Sequence, residues 1–368
     1  MAAAALALAA ALACRGDPPC GALVSDGQYR MGTVLEIQLC APERARGEAL
    51  LASAFARVGE LEKRFSTFDP DSDVSRVNRR AGAGAEQVAP ELVRLTDDAL
   101  ALSAETRWSF DPTVGPLVAL WREAGRTGKL PDPRARVDAR ARVGRQVVNV
   151  DPAAGTVEIV VPGASLDFGG IAKGWALDRL AEDLRGAGVT RALLSFGGSS
   201  VAALGSAPNA APGAPGWGLA LTDASGGVAG TVLLRDQSLS ISGSFGQFVE
   251  IEGRRYGHVI DPQRGEPLSS ARVAAVLAAD GARAEAFSKA LLILGPRDGI
   301  QLLESTRDAN GILFDADTGT TTATARWAAA ARYLPESPSS AALFPRQGRL
   351  SKRSSDTTSP TGLRVVGP

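Results

Sequence analysis

The only histidine of this 368-residue chain, His258, lies in "YGHVIDPQRGEPL", between a glycine and an Asp-Pro-x-x-Gly turn. An imidazole titrates near neutral pH, so a histidine at a strand end reads as a general base. It reads equally as a hydrogen-bonded residue of a polar turn. Asp261, three residues on, is a carboxylate placed to orient it. In "DFGGIAKGWALD", Asp167 and a Gly-Gly turn open a helix that carries Lys173. Glycines let a backbone approach a ligand, and a helix start with a lysine favours phosphate. The spacing is not that of a Walker loop, and a tight strand-to-helix turn reads equally well. "ARAEAFSKALLILG" sets Glu285 four residues before Lys289, the favoured order for a helical ion pair worth roughly 0.3–0.5 kcal/mol. Asp69, Asp71 and Asp73 in "FDPDSDVSRVN" have the opening spacing of a calcium loop. The sixth and twelfth places are Val74 and Arg80, where such a loop needs Gly and an acid, so the stretch reads as a turn and helix cap.

These residues need elements to hold them. "MGTVLEIQLCA" alternates as a strand, and Arg46–Phe65 and Pro90–Thr106 repeat as amphipathic helices. "FDPTVGPLVALW" is broken twice by proline, and residues 125–145 have weak periodicity. "QVVNVDPAAGTVEIVVPG" is a hairpin. A helix over Lys173–Arg185, the strand "RALLSFGG" and a second hairpin of "WGLALTD" and "GTVLLRD" follow. "SLSISGSF" and "QFVEIEGRRYGHVID" are expected to pair as a third hairpin. "ARVAAVLAAD", helices over Ala282–Leu294 and 296–305, and "GILFDADTG" complete the chain. Strands arriving in hairpins between helices predict an α+β fold of antiparallel sheets with inserted helices.

Acidic and basic residues balance at 40 each, which excludes the basic footprint of a nucleic-acid binder. Lysines are only Lys63, Lys129, Lys173, Lys289 and Lys352 in an arginine-rich chain. One histidine excludes any His-pair metal site. "MAAAALALAAALAC" has the length of a signal h-region, too short to span a membrane, and ends at Cys14. It predicts export with lipid on Cys14, although no Lys or Arg precedes the run; an Ala-rich helix is the other reading. Cys20 and Cys40 could pair in an oxidising compartment. The expected organisation is a leader over 1–22, one domain over 23–334, and a disordered Ser/Pro/Arg-rich tail over 335–368.

Taken in order, "MGT", "STFDPDSDVSRVN", "FDPTVGPLVALW", "LDFGGIAKGWALDRL", "LLSFGG", "SISGSF", "GHVIDPQRGEPL" and "EAFSKALLILGP" resemble the ApbE family of FAD:protein FMN transferases. The resemblance spans about Met31 to Trp327. It implies cleavage of FAD at its pyrophosphate, transfer of FMN to a Thr or Ser hydroxyl of an acceptor flavoprotein, release of AMP, and use of magnesium (Mg2+). It also implies a periplasmic or surface-anchored protein. By motif match, Met31, Phe68, Ser109, Phe110, Asp111, Asp167, Lys173 and the Ile260 backbone should contact FAD. The Gly170 carbonyl falls on a metal ligand, and His258 on the family histidine.

The sequence departs from the family pattern at several of these places. Where the family reads A-D-A-x-x-T and gives a carboxylate and a threonine to the metal, this chain reads A-E-A-F-S-K. Glu285 keeps a carboxylate, Ser288 offers an oxygen, and Lys289 puts an ammonium where the threonine oxygen stood; a protonated lysine has no lone pair to ligate. Phe68 stands where a tyrosine is common, and Ser199 where a carboxylate or amide is. Three outcomes follow: Lys289 supplies the positive charge, the metal uses Glu285, Ser288 and Gly170, or the chain binds flavin without transferring it.

Overall fold

Strand alternation sets the start of the fold. The computed structural model describes residues 20–211, 215–223, 227–246, 248–332 and 334–335. Cys14, most of the expected leader and nearly all of the expected tail lie outside them. Strands β1 (Ala22–Arg30) and β2 (Thr33–Ala41) form a hairpin, turned at Met31 and Gly32, both at positive φ. A Cys20–Cys40 disulfide fastens its open end. Helix α1 (Arg44–Phe65) buries Leu50, Ala54, Val58 and Leu61, the face its periodicity predicts. Helix α2 (Asp73–Arg79) begins at Ser72, whose hydroxyl accepts from the Ser75 N–H. This is the cap expected in place of a calcium loop. The short β3 (Glu86–Gln87) leads to α3 (Pro90–Glu105).

Helix α4 (Gly115–Thr127) starts at the second proline of "FDPTVGPLVALW". Proline is tolerated in a first turn because its missing N–H would be unpaired there. Helix α5 (Pro133–Arg140) follows, a short element that the weak periodicity did not reveal. The hairpin of β4 (Val148–Asp151) and β5 (Thr156–Ile159), with β3 on its edge, leads into α6 (Ala172–Gly186). Strands β6 (Ala192–Phe196) and β7 (Ser200–Leu204) pair next, then β8 (Trp217–Thr222) with β9 (Val228–Leu234).

The expected third hairpin is corrected by the pairing. β10 (Ser238–Gly243) lies in the main sheet between β7 and β15 (Arg272–Ala278). β11 (Phe248–Ile251) instead pairs with its own continuation, β12 (Arg254–Gly257). The reason is local. Glu252 and Gly253 both take positive φ, the two-residue turn whose twist matches paired strands. After the small pair β13 (Ile260–Asp261) and β14 (Glu266–Pro267) and strand β15 comes α7 (Gly281–Ser305). Gly295 (φ 80°) and Pro296 kink it where two helices were expected. Strands β16 (Ala309–Asp315) and β17 (Thr320–Ala323), helix α8 (Trp327–Ala331) and β18 (Leu334–Pro335) end the described chain.

The main sheet is antiparallel, in the order β1-β2-β6-β7-β10-β15-β16-β17. Helices α1, α3, α6 and α7 cover one face through Leu35, Ile37, Phe55, Trp175 and Phe287. The β8–β9 layer and Trp327 cover the other through Val201, Leu239, Ala275 and Phe314. Both faces of the central strands are therefore dry. This is why "VAALG" and "RVAAVLAAD" read as apolar runs without alternation. The fold is α+β, as the hairpin pattern predicts.

Helices α6 and α7 cross where Gly174 meets Gly281. A Cβ on Gly174 would overlap the Gly281 carbonyl and crowd Glu285 Cγ. Gly174→Ala should thus cost about 1–3 kcal/mol by overpacking. Urea unfolding measures this; a midpoint equal to wild type would show that the crossing relaxes freely.

Candidate active site

Four segments converge on one side of the main sheet. The first is the loop before α4. Ser109, Phe110 and Asp111 are all buried. Asp111 Oδ1 accepts from the Thr113 N–H (2.8 Å) and hydroxyl (2.6 Å), and the Ser109 hydroxyl donates to the Thr106 carbonyl. The second is the Gly-Gly turn before α6. The Asp167 N–H donates to the Pro112 carbonyl (2.8 Å), which ties the turn to the first loop. Asn78 of α2 clamps Leu166 from both sides, accepting its N–H (2.8 Å) and donating to its carbonyl (3.0 Å).

The third segment is the turn after β12. Gly257 packs on the Ser244 carbonyl, and His258 is exposed at the strand end, with Cε1 3.8 Å from where a Gly246 Cβ would stand. Asp261 is buried. Its Oδ1 accepts from the Gln263 (2.8 Å) and Arg264 (3.2 Å) N–H groups. These bonds shape the turn. Gln263 Nε2 then donates to the Arg107 carbonyl (2.7 Å), linking the histidine turn to the first loop. Asp261 thereby acts through the turn it holds, and Ile260 is buried beside it.

The fourth segment is the start of α7. Glu285 is wholly buried. Its Oε1 accepts from the Gly174 N–H (3.1 Å) and the Ser200 hydroxyl (2.5 Å), and its Oε2 from the Lys289 ammonium (3.1 Å). The carboxylate so sits at the positive end of α6, where an anion is favoured. Burial raises its pKa, but the charges of Lys289 and Lys173 and the bonds from Ser200 and Lys289 outweigh it and hold the group below the usual carboxylate range. Burial pulls Lys289 down from the ordinary lysine value; the Glu285 charge opposes this and the Lys173 charge adds to it. Lys173 makes no ion pair among the described residues. A Cβ on Gly170 would lie 3.3 Å from the Phe110 ring and 3.9 Å from Lys289 Cε, so turn, loop and lysine share one wall.

Met31 and Phe68 lie at the two ends of this architecture, against α1. The Met31 N–H donates to Glu62 Oε1 (2.7 Å). Phe68, just past α1, is 81% exposed, with the Arg122 guanidinium 5.1 Å from its ring. Ser199 forms the corner between β6 and β7.

A family model of the ApbE family matches residues 31–313. The chain belongs to the ApbE family. Among its relatives, the FAD:protein FMN transferase of Klebsiella pneumoniae is 32% identical over 295 residues, 78% of this chain and 83% of that protein. That of Salmonella typhimurium is 30% identical over 273 residues, 72% and 77% of the two chains. The apo structure of the Pseudomonas stutzeri flavinyl transferase ApbE superposes with a TM-score of 0.70 at 26% identity, over 84% of this chain and 97% of that one. The Thermotoga maritima ApbE protein, at 23% identity and a TM-score of 0.75, shares the fold.

The ApbE resemblance implies magnesium, and the residues present do not fit it. Both Glu285 oxygens are occupied. The Ser288 hydroxyl donates to the Glu285 carbonyl (2.9 Å) and meets Ser240 (2.9 Å) and Ser242 (2.8 Å) of β10, which fills its one donor and two lone pairs. The ammonium of Lys289 stands beside Gly170. No group of three or more His, Cys, Asp or Glu that could hold a metal exists among the described residues.

Sequence reasoning missed Ser200, Asn78, Gln263 and the serines of β10. Only "SISGSF" carried a signal: Ser240 and Ser242, two apart, share one face of a strand.

Burial raises the Asp111 carboxyl above its ordinary value, against the two Thr113 bonds. The folded state then binds the proton more tightly than the unfolded one. Asp111's contribution is therefore greatest at low pH and falls as pH rises from the unfolded value through the folded one. Asp111→Asn keeps an acceptor for Thr113 and removes the buried charge. The variant should gain on wild type in urea titrations as pH rises from the ordinary aspartate value through the raised folded one. A constant difference across that range would contradict the burial argument.

Proposed function

We propose that this chain transfers FMN from FAD to a Thr or Ser hydroxyl of an acceptor flavoprotein and releases AMP. The observation that carries the reading is the convergence just described. Lys289 stands beside a Gly-Gly turn with Lys173 near enough for its charge to act on it, and the turn that carries the single imidazole is bonded through Gln263 to Arg107, ahead of the loop before α4. Diphosphate chemistry needs that set: a backbone cradle, positive charge, and a base for the nucleophile. The named activities of the relatives agree with it.

In this scheme the hydroxyl oxygen attacks the flavin-side phosphorus. The bond from that phosphorus to the bridging oxygen breaks, and AMP departs with that oxygen. His258 takes the hydroxyl proton. Lys173 holds the diphosphate over the Gly169–Gly170 turn, and Phe68 offers its exposed ring to the flavin. A purely flavin-binding protein is not favoured by the relatives. Incubation with FAD and a Thr-bearing acceptor should leave denaturation-resistant flavin fluorescence on the acceptor. Bound FAD with an unlabelled acceptor would favour the flavin-binding reading instead.

The protein acts, in this reading, on the outer side of the membrane, tethered by lipid on Cys14. The Cys20–Cys40 disulfide supports an oxidising compartment. No helix among the described residues is long and apolar enough to cross a membrane. Cell fractionation of wild type and Cys14→Ser tests it. The variant should leave the membrane fraction, and a variant that stays there would rule the anchor out.

A further inference from the structure

We propose that the Lys289 ammonium takes the place of a divalent cation in this chain, so that the diphosphate of FAD is held by Lys289 and Lys173 without metal. The inference rests on the reading of the cluster as an FAD site. The environment of Lys289 is what points to it.

A lysine is costly to bury, and this one is held in place by a wholly buried partner 3.1 Å away. An ammonium has three N–H donors, and Glu285 takes one. The Glu285 side chain is 0% exposed, whereas that of Lys289 is 19% exposed. The remaining donors therefore belong to the accessible side, beside Gly170, where a ligand's backbone approach is easiest. Glu285 is fixed in turn by Gly174 and Ser200, so the ammonium is positioned before any ligand arrives. Lys173 lies close enough for its charge to be felt at both Glu285 and Lys289. The two lysines outnumber the one glutamate they share, while Asp167 of the turn bonds the Gly169 N–H with one of its oxygens. A magnesium ion in the same place would meet an ammonium and a carboxylate that already accepts three hydrogen bonds.

The test is a set of binding titrations on the full chain with FAD, ADP and riboflavin, each in EDTA and in magnesium. Wild type should bind FAD and ADP equally well in both. Lys289→Met alone strands the Glu285 charge, so the informative variant is Lys289→Met with Glu285→Gln, which removes both charges and keeps an acceptor for Gly174. This variant, shown folded by its urea midpoint, should lose about tenfold or more in affinity for FAD and ADP. It should keep its affinity for riboflavin, which has no phosphate; a merely structural role would affect all three ligands alike. Tenfold tighter FAD binding by wild type in magnesium would overturn the proposal. So would a variant that binds ADP as wild type does, or one that loses riboflavin equally.

Transfer assays separate this claim from the functional one. Transfer that occurs only with magnesium overturns the role of Lys289 and leaves the function standing. Lysine-dependent FAD binding in EDTA without any transfer supports Lys289 and removes the function.

Discussion

His258→Ala should still bind FAD and should transfer FMN about 10²–10⁴-fold more slowly. A hydroxyl is a weak nucleophile until a base takes its proton, and this chain has one imidazole with which to do that. The geometry gives the residue a fixed place to act from. Its ring is exposed, while its neighbours are locked: Gly257 packs on the Ser244 carbonyl, and Val259 and Ile260 are buried. The Gln263–Arg107 bond then holds the turn against the loop of Ser109, Phe110 and Asp111. Removing the imidazole takes away the base and leaves every one of these backbone contacts in place. FAD affinity should therefore stay near wild type while turnover collapses. Single-turnover transfer with saturating FAD reads this directly. If His258→Ala transfers FMN at the wild-type rate, another group is the base.

Glu285→Ala should destabilise the fold by about 1–3 kcal/mol, because it leaves a half-buried ammonium without its partner. It also strips the Gly174 N–H and the Ser200 hydroxyl of their acceptor. Glu285→Gln keeps that acceptor and loses only the charge, so it should lie between Ala and wild type. The acid limb has a defined sign. The folded Glu285 pKa is lowered, so its stabilisation is present above the ordinary carboxylate value and is lost as pH falls through the folded value. Wild type should lose this contribution on acidification, and Glu285→Ala should have none to lose. Urea titrations of the three proteins at neutral and acid pH measure both effects. An Ala variant as stable as wild type would mean that the pair is not closed in solution.

The long helices were legible because their periodicity is strong: Leu50, Ala54, Val58 and Leu61 fall on one buried face of α1. The hairpin of β4 and β5 was legible from its turn. The pairing of β10 was not. Its neighbours are β7 and β15, far away in sequence, and nothing local distinguishes a strand that folds back from one that inserts into a sheet. α5 was missed because only Ala139 of its eight residues is buried, so it has almost no apolar stripe to detect. At the site, the charged residues announced themselves by type. The uncharged residues that position them did not. Ser200 and Asn78 are common residues in ordinary contexts, and their value arises only when strands and helices bring Glu285 and Leu166 within reach. The Glu285–Lys289 spacing read as a helical pair of small worth, because a sequence cannot show that the pair is buried. Burial changes its meaning from surface decoration to the electrostatic floor of the site.

In the proposed reaction this site moves FMN from FAD to a protein hydroxyl. Mass spectrometry of a Thr-bearing acceptor, after incubation with FAD and the full chain, tests it most directly. The expected result is an acceptor peptide carrying FMN on its threonine, with one AMP released for each FMN attached. An acceptor of unchanged mass beside a protein saturated with FAD would contradict the claim.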